Sequence, residues 1–311
     1  MNRIRIILVG LVFLAYSEQV AHAGLCEKLA LLSQSISVGV EDGYQARVQV
    51  SGERNSMSIS VERGLNGVAQ PVILSSVSEI LKNLHQDSRP LPVFQKAADA
   101  MGLKVITDGR ALSEIPESGP LLIIANHPLS GVDGIALAGE ISKVRKDTKV
   151  VLNQMLQAVP GVKEATIGVD VTNPASRANA QAFREMNTWV KDGHALIIFP
   201  AGNVSRRQPD GSIADTEWSK SIVKITQRNG AQVLPVFVHG QPGSIFNALD
   251  RVSSSAASSW IPKEILRQRG STVHLTLGAP ISAEKVKVFE DEREAVEFLR
   301  RETYQLGEKK R

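Results

Sequence analysis

The sequence predicts an α/β fold in which a mostly parallel central sheet is flanked by layers of helices. From residue 103 onward, short apolar runs bounded by turn residues, typical of buried strands, alternate with longer amphipathic segments, typical of helices. Strands that alternate with helices favour layered folds with a largely parallel sheet. No repeat or proline-rich linker interrupts residues 103–278. We therefore predict one domain over residues 103–311, preceded by a small helix and hairpin addition over residues 24–102.

The addition at residues 24–102 is predicted from local patterns. Residues 45–50 and 56–61 each alternate apolar and polar side chains around a Gly- and Asn-containing turn, which predicts a β-hairpin. The other predicted elements of this region are helices over residues 25–40, 75–84 and 91–101. We predict no chemistry for this region.

The domain at residues 103–311 is predicted as a succession of strands and helices. The predicted strands span residues 103–107, 121–125, 149–153, 165–170, 195–199, 232–238 and 274–278. The predicted helices span residues 133–146, 175–191, 216–228 and 283–304. In such folds, ligands bind beyond the carboxyl ends of the strands. Three turns stand at such ends, residues 126–133, 200–215 and 239–244, and they carry most of the unusual residues of the chain.

The composition is that of an ordinary globular protein, and it narrows the class of partner. The chain has 311 residues, of which 42% are hydrophobic and 22% are charged, with a formal net charge of +4. Because the basic residues are spread along the chain, we expect no nucleic-acid partner, whereas attraction to an anionic membrane surface fits the charge. The single cysteine, Cys26, excludes an intrachain disulfide and a multi-cysteine zinc site.

Residues 1–23 have the pattern of a targeting segment. Arg3 and Arg5 precede an apolar core at residues 6–16, and the Ala-His-Ala at residues 21–23 resembles a cleavage site. This core is shorter than the roughly 20 residues that a spanning helix needs. We predict a secretory signal and a membrane-associated protein exported to the periplasm. The alternative is an uncleaved anchor or an interfacial helix, the latter on the cytoplasmic face of the membrane.

A histidine and an aspartate flank the turn after the predicted strand at residues 121–125. His127 follows Asn126 at the exit of the strand, and Asp133 comes after Ser130 and Gly131. A carboxylate beside an imidazole fixes its tautomer and stabilises the imidazolium, so His127 could take a proton from a hydroxyl that attacks an acyl carbonyl. Taken alone, the pair is better explained as a polar loop in which Asp133 caps a helix.

A second cluster of unusual residues follows the predicted strand at residues 195–199. It contains Pro200, Gly202, Ser205, Arg206 and Arg207. A turn with glycine directly after a buried strand exposes backbone N–H groups, which together with two arginines could hold a phosphate, a phosphopantetheine or a carbonyl oxygen. The alternative is a surface loop with solvated arginines. The chain has neither a P-loop nor a His-Glu-x-x-His metal motif nor a Gly-x-Ser-x-Gly elbow, so we predict no metal site and no α/β-hydrolase.

Residues 126–134, 199–202 and 233–236 form an ordered set of three motifs. They read Asn-His-Pro-Leu-Ser-Gly-Val-Asp-Gly, Phe-Pro-Ala-Gly and Val-Leu-Pro-Val. The set resembles the first, third and fourth motifs of the glycerolipid and lysophospholipid acyltransferases. It is most similar to a bacterial branch grouped with hemolysins and ornithine-lipid acyltransferases. That branch also has a Val-Ser pair after the third motif and a later Asp-x-x-Trp, here Asp215 and Trp218.

The resemblance implies transfer of an acyl group from acyl-CoA or acyl carrier protein, with no bound cofactor, to a hydroxyl or amine of a lyso-lipid acceptor. It implies that His127 is the general base and that Asp133 orients it. The implied substrate-binding residues are Asn126, Ser130, Gly131, Pro200, Gly202, Ser205, Arg206 and Arg207. Ala201 and Val204 replace a Glu and an Arg of the family's third motif, so a phosphate-bearing acceptor is not implied. An exported, non-catalytic lipid-binding protein and an acyl hydrolase with a His127-activated water are the alternative hypotheses.

Overall fold

The computed structural model describes residues 36–41, 45–50, 57–59, 92–158, 161–171, 173, 175–252 and 254–308 of the chain. A small antiparallel sheet comprises β1 (Ile36–Glu41), β2 (Gln45–Val50) and β3 (Met57–Ile59). The strands that follow are β4 (Lys104–Gly109), β5 (Leu121–Ala125), β6 (Thr148–Asn153), β7 (Thr166–Val169), β8 (Ala195–Ile198), β9 (Arg206–Arg207), β10 (Ile213–Ala214), β11 (Gln232–Val238) and β12 (Thr272–Leu277).

A seven-stranded sheet with the order β4-β12-β11-β5-β8-β6-β7 organises the larger part of the described chain. Only the β11–β12 pairing in it is antiparallel. The predicted α/β fold with a mostly parallel sheet is therefore confirmed. Since β11, β5 and β8 are parallel neighbours, their carboxyl ends lie side by side. The three turns predicted to carry the site consequently meet at one edge of the sheet.

Helices cover both faces of this sheet. In the described residues they are α1 (Val93–Ala100), α2 (Val132–Ile141), α3 (Arg177–Lys191), α4 (Ser221–Asn229), α5 (Ser244–Asp250), α6 (Ser254–Arg267), α7 (Ala283–Lys287) and α8 (Glu292–Glu308). None of the helices in this part of the chain is long and apolar enough to cross a membrane.

Strand β5 is the centre of both hydrophobic cores, and all five of its residues are completely buried. Leu121, Ile123 and Ala125 pack in one core with α1 and α2. Leu122 and Ile124 pack in the other with α3, α4 and α8. Successive side chains of a strand point to opposite faces, so an uninterrupted apolar run is what a strand buried on both faces requires. The strand that leads to His127 is thus held from both sides.

The prediction of a helix at residues 25–40 is wrong for residues 36–40, the part of this range that the structure describes. Residues Ile36–Glu41 form β1, which pairs antiparallel with β2. Their apolar residues alternate with period two and are β-branched, which favours a strand. The hairpin of β2 and β3 is confirmed, with Ala46 opposite Ile59. The targeting segment at residues 1–23 and the helix predicted at residues 75–84 lie outside the described residues.

Two predicted helices are shorter in the structure, and a hydrogen bond lies at the shortened end of each. The helix predicted at residues 133–146 is α2, and the Ser142 hydroxyl after it bonds back to a carbonyl of its last turn, 3.0 Å away. The helix predicted at residues 216–228 is α4, which begins later because Ser219 donates its N–H to the Pro200 carbonyl, 3.0 Å away.

Two helices were not predicted, and one predicted helix is two. Residues 283–304 contain α7 and most of α8, with a break between them. The unpredicted helices are α5 and α6, which are short or rich in serine. Pro262 lies inside α6, and a proline in this position argues against a helix from sequence alone. Both helices contact the turns at the carboxyl edge of the sheet.

A buried arginine ties together the opposite, amino-terminal edge of the sheet. Arg145 is completely buried and donates to both carboxylate oxygens of Asp147 at 2.8 Å. Its remaining N–H groups donate to the carbonyls of Pro116, Gly119 and Gly193 at 2.8 to 3.1 Å. Gly119, Asp147 and Gly193 lie just before β5, β6 and β8, so one planar guanidinium fixes the entry to three adjacent strands.

We expect Arg145→Lys to lower the free energy of unfolding by about 2 to 4 kcal/mol, because an ammonium cannot replace the guanidinium fork and leaves buried carbonyls unsatisfied. Urea unfolding followed by circular dichroism measures the loss. The matched control is Lys143→Ala, since the Lys143 side chain in the same segment is 51% exposed, and it should change stability by about 0.5 kcal/mol or less. Equal stability of Arg145→Lys and the wild type would contradict this account.

Candidate active site

The first turn of the site is anchored by Asn126, directly after β5. Its side-chain amide donates to the Val238 carbonyl at 2.9 Å, and its carbonyl oxygen accepts the Val238 N–H at 2.7 Å. These bonds continue the β5–β11 pairing by one residue. Because Asn126 is 4% exposed and its amide is bound to the backbone, its predicted role in substrate binding gains no support. The structure instead places it as the residue that fixes where His127 leaves the sheet.

Asp133 lies in the first turn of α2 and is completely buried. One carboxylate oxygen accepts from His127 Nδ1 and from the Leu129 N–H, both at 2.8 Å. The other accepts from the N–H groups of Gly131 and Gly134 at 2.9 and 3.0 Å. Burial alone would raise the pKa of Asp133, but His127 and these N–H groups hold it below its usual range. The carboxylate is therefore ionised at neutral pH.

The orientation of His127 follows from this ionised partner. A carboxylate only accepts hydrogen bonds, so Nδ1 donates to Asp133, and Nε2 carries the lone pair that can take a proton. The ring also lies against Phe199, with a centroid separation of 4.5 Å, and its side chain remains 19% exposed. Burial alone would lower the pKa of His127, but the charge and bond of Asp133 and the charge of Asp215 raise it overall. His127 is therefore a partly exposed imidazole whose basicity is increased by two neighbouring carboxylates.

A tight turn lets Asp133 reach back to His127 across five intervening residues. Ser130 and Gly131 have φ values of 56° and 105°, and the Val132 N–H donates to the Leu129 carbonyl at 3.1 Å. Positive φ at both central positions is the type I′ geometry that glycine tolerates best. The Leu129 carbonyl also accepts from Gln268 at 3.2 Å, just beyond α6. Ser130 is 2% exposed, so this predicted substrate-binding residue lies inside the turn.

The second turn, after β8, contains Pro200 and Gly202. The Pro200 carbonyl accepts the Ser219 N–H, which closes the base of the turn. Gly202 has a φ of 66°, and nothing lies within 4 Å of the position that a β-carbon would take. The turn thus leaves open space at Gly202. Phe199, directly before Pro200, contacts the His127 ring, so the turn that carries Pro200 and Gly202 begins beside His127.

Ser205, Arg206 and Arg207 have internal partners. Ser205 is 2% exposed and donates its N–H to the His127 carbonyl at 2.9 Å and its hydroxyl to Asp215. Arg206 forms a salt bridge with Asp250 at the end of α5. Arg207 is exposed and donates to the Gly211 carbonyl at 2.8 Å across the β9–β10 ribbon. The structure therefore brings Ser205 to the backbone of His127 and neutralises Arg206.

Asp215 belongs to the site, although sequence patterns did not predict it as a functional residue. Its carboxylate accepts from the His127 N–H at 3.1 Å and from Trp218 Nε1 at 2.9 Å. Burial raises the pKa of Asp215, and the bonds from Ser205, His127 and Trp218 oppose the rise without cancelling it. The only signal in the sequence was the Asp-x-x-Trp spacing. No group of three or more His, Cys, Asp or Glu residues within the described ranges could hold a metal ion.

Comparisons with known proteins identify a family and several relatives of this chain. A family model described as "Acyltransferase" matches residues 79–310. A lyso-glycine lipid O-acyltransferase of Phocaeicola vulgatus is 30% identical over 179 residues, which cover 55% of this chain and 63% of the relative's own length. One of Bacteroides thetaiotaomicron is 28% identical over 225 residues, 66% of this chain and 80% of the relative. The crystal structure of the 1-acyl-sn-glycerophosphate acyltransferase PlsC from Thermotoga maritima has a TM-score of 0.46 and 19% identity, covering 98% of this chain and 95% of its own.

We expect Asp133→Asn to lower the pKa of His127, because the substitution removes the buried charge that stabilises the imidazolium. Titration of the ring followed by nuclear magnetic resonance measures the change. Asp192→Asn is the control, since it removes the same charge at an exposed position after α3 and should leave the titration of His127 where it is. An unchanged His127 titration in Asp133→Asn would contradict the assigned geometry.

Proposed function

The chain belongs to the acyltransferase family, and on that premise we propose that it is a lipid acyltransferase with His127 as its general base. The observation that carries the proposal is the 2.8 Å hydrogen bond between His127 Nδ1 and the buried Asp133 carboxylate. It leaves Nε2 as the nitrogen able to accept a proton, at the edge of the sheet where ligands bind in such folds. An intact pair of this kind argues against a non-catalytic binding protein.

The reaction is the transfer of a fatty acyl group from a thioester to an acceptor hydroxyl. His127 Nε2 takes the hydroxyl proton while the oxygen attacks the thioester carbonyl carbon and a C–O bond forms. The C–S bond then breaks, and the imidazolium returns its proton to the leaving sulfur. Asp133 stays ionised throughout, holding the ring in one tautomer and stabilising the imidazolium. Acyl-CoA or acyl carrier protein supplies the thioester, and no resident cofactor takes part.

A lyso-lipid of the glycine-lipid kind is the proposed acceptor. Both curated relatives are named lyso-glycine lipid O-acyltransferases, which favours a hydroxyl over an amine as the accepting group. Val204 occupies the third-motif position where the resembling family has an arginine, and it is buried against Phe246 and Ala257. Arg206 is neutralised by Asp250. An acceptor without a phosphate at this position suits these contacts. The open space at Gly202 and the exposed Arg207 are the proposed sites of substrate contact.

We expect His127→Ala to lower the rate of acyl transfer by about 10²- to 10⁴-fold, because that is the usual contribution of a general base. The assay follows labelled acyl groups from acyl-CoA or acyl carrier protein into a lyso-glycine lipid. His194→Ala is the matched control, since His194 lies beside Asp147 before β8, at the opposite edge of the sheet, and should keep the wild-type rate. A folded His127→Ala protein with the wild-type rate would overturn the proposal.

The products of the same assay separate transfer from hydrolysis. A transferase converts the labelled thioester into acylated lipid in amounts that follow the acceptor concentration. A hydrolase with a His127-activated water releases free fatty acid whether or not the acceptor is present. We expect acylated lipid as the main product, and free fatty acid that does not change with acceptor would favour the hydrolase instead.

A further inference from the structure

The backbone of His127 is held by residues of the turn after β8 and not by residues of the turn after β5, in which His127 itself lies. Its N–H donates to Asp215 Oδ1 at 3.1 Å, and its carbonyl accepts the Ser205 N–H at 2.9 Å. The β5–β8 pairing ends at Ile198 and the β11 partnership is completed by Asn126, so neither bond belongs to the sheet. The position of the proposed base relative to the turn after β8 is therefore set by Asp215 and Ser205.

The groups around the Asp215 carboxylate are hydrogen-bond donors. It is 2% exposed, and Oδ1 accepts from both the His127 N–H and the Ser205 hydroxyl, whereas Oδ2 accepts from Trp218 Nε1. A backbone N–H and an indole N–H can only donate, so a carboxylate satisfies all three partners at once. These three bonds oppose the cost of removing the carboxylate from water, although they do not cancel it.

The backbone of Asp215 is fixed by the last helix. Its N–H donates to the Tyr304 hydroxyl at 2.8 Å, and its carbonyl accepts from Arg300 at 3.1 Å. Burial raises the pKa of Tyr304 to about 12, so this hydroxyl keeps its proton at neutral pH. The ring centroids of Trp218 and Tyr304 are 6.4 Å apart. Asp215 thus connects α8, which packs in the core, to the backbone of His127.

We propose that Asp215 is a positioning residue of the acyl-transfer reaction, which holds the His127 backbone against the turn after β8 and supplies a second buried negative charge beside the base. The inference rests on the proposed function. His127 then lies between two buried carboxylates: Asp133 acts on the ring nitrogen and Asp215 acts through the backbone. The groups that face Asp215 are the His127 amide, Ser205, Trp218, Tyr304 and Arg300.

Asp215→Asn tests the proposal, because the amide keeps the shape of the carboxylate and loses its charge. We expect kcat per folded protein to fall by about 10²-fold, as misplaced catalytic groups do, with KM little changed. The acid limb of the kcat/KM profile should move to lower pH, because His127 with one negative charge fewer nearby releases its proton more readily. Asp210→Asn is the control, since it removes an exposed charge from the same loop and should match the wild type.

A double variant separates positioning from simple support of the fold. In Asp215→Asn, an amide oxygen that still accepts the His127 N–H turns the amide NH2 toward Trp218 Nε1, so two donors oppose each other. Trp218→Phe removes that conflict. We expect Asp215→Asn/Trp218→Phe to keep the shifted acid limb and a shifted His127 titration by nuclear magnetic resonance. Recovery of the wild-type pH profile together with thermal stability would reduce Asp215 to a structural role and overturn the proposal.

Failure of the inference and failure of the proposed function give different results. If the function is wrong, the wild-type protein transfers no acyl group or His127→Ala remains active, and the inference falls with it. If only the inference is wrong, the wild type is active and His127→Ala is not, but Asp215→Asn retains the wild-type kcat, acid limb and His127 titration. Loss of kcat with a shifted titration in Asp215→Asn supports the inference.

Discussion

The hydrogen bond between the Asp133 carboxylate and His127 is the interaction on which the site depends. A buried carboxylate is costly unless its oxygens are fully bonded, and Asp133 has four donors within 3.0 Å. Three of those donors are backbone N–H groups of its own turn and of α2. The tight turn at Ser130 and Gly131 is needed to aim them at one carboxylate, and its strained backbone is held by Gln268 beyond α6. The local backbone is thus arranged to stabilise the ionised carboxylate of Asp133.

Sheet topology explains why segments far apart in sequence meet at this pair. With β5 between β11 and β8, the residues after the three strands become neighbours: Asn126 bonds to Val238, and His127 bonds to Ser205 and Asp215. The opposite edge is fixed by Arg145, which joins the entries to three strands. His127, the proposed base, therefore lies at the end of a strand that is buried on both faces and tied at both ends, which gives it a rigid support.

Much of the sheet could be predicted because a strand buried on both faces has an uninterrupted apolar sequence. Strands β5 and β11 lie at the residues predicted for them. The approach of Asp133 to His127 was predictable because it is local. Contacts between distant segments were not. The sequence around Asn126 does not indicate that its side-chain amide bonds to the backbone of Val238. Likewise, the sequence around Arg206 does not indicate that Asp250, 44 residues later, neutralises its charge. Helices α5 and α6 escaped prediction because serine and proline obscure their periodicity, although tertiary packing stabilises them.

Chemical rescue of His127→Gly by imidazole tests the central claim, that His127 supplies the base in acyl transfer, most directly. The substitution removes the ring and leaves a space beside Phe199 and Asp133 that free imidazole can fill. We predict that the variant alone keeps only the low residual rate expected without the general base, and that it regains transfer as imidazole is added. The recovery should follow the neutral fraction of imidazole as the pH is varied. A folded His127→Gly protein that has the wild-type rate without imidazole, or that no concentration of imidazole restores, would contradict the account.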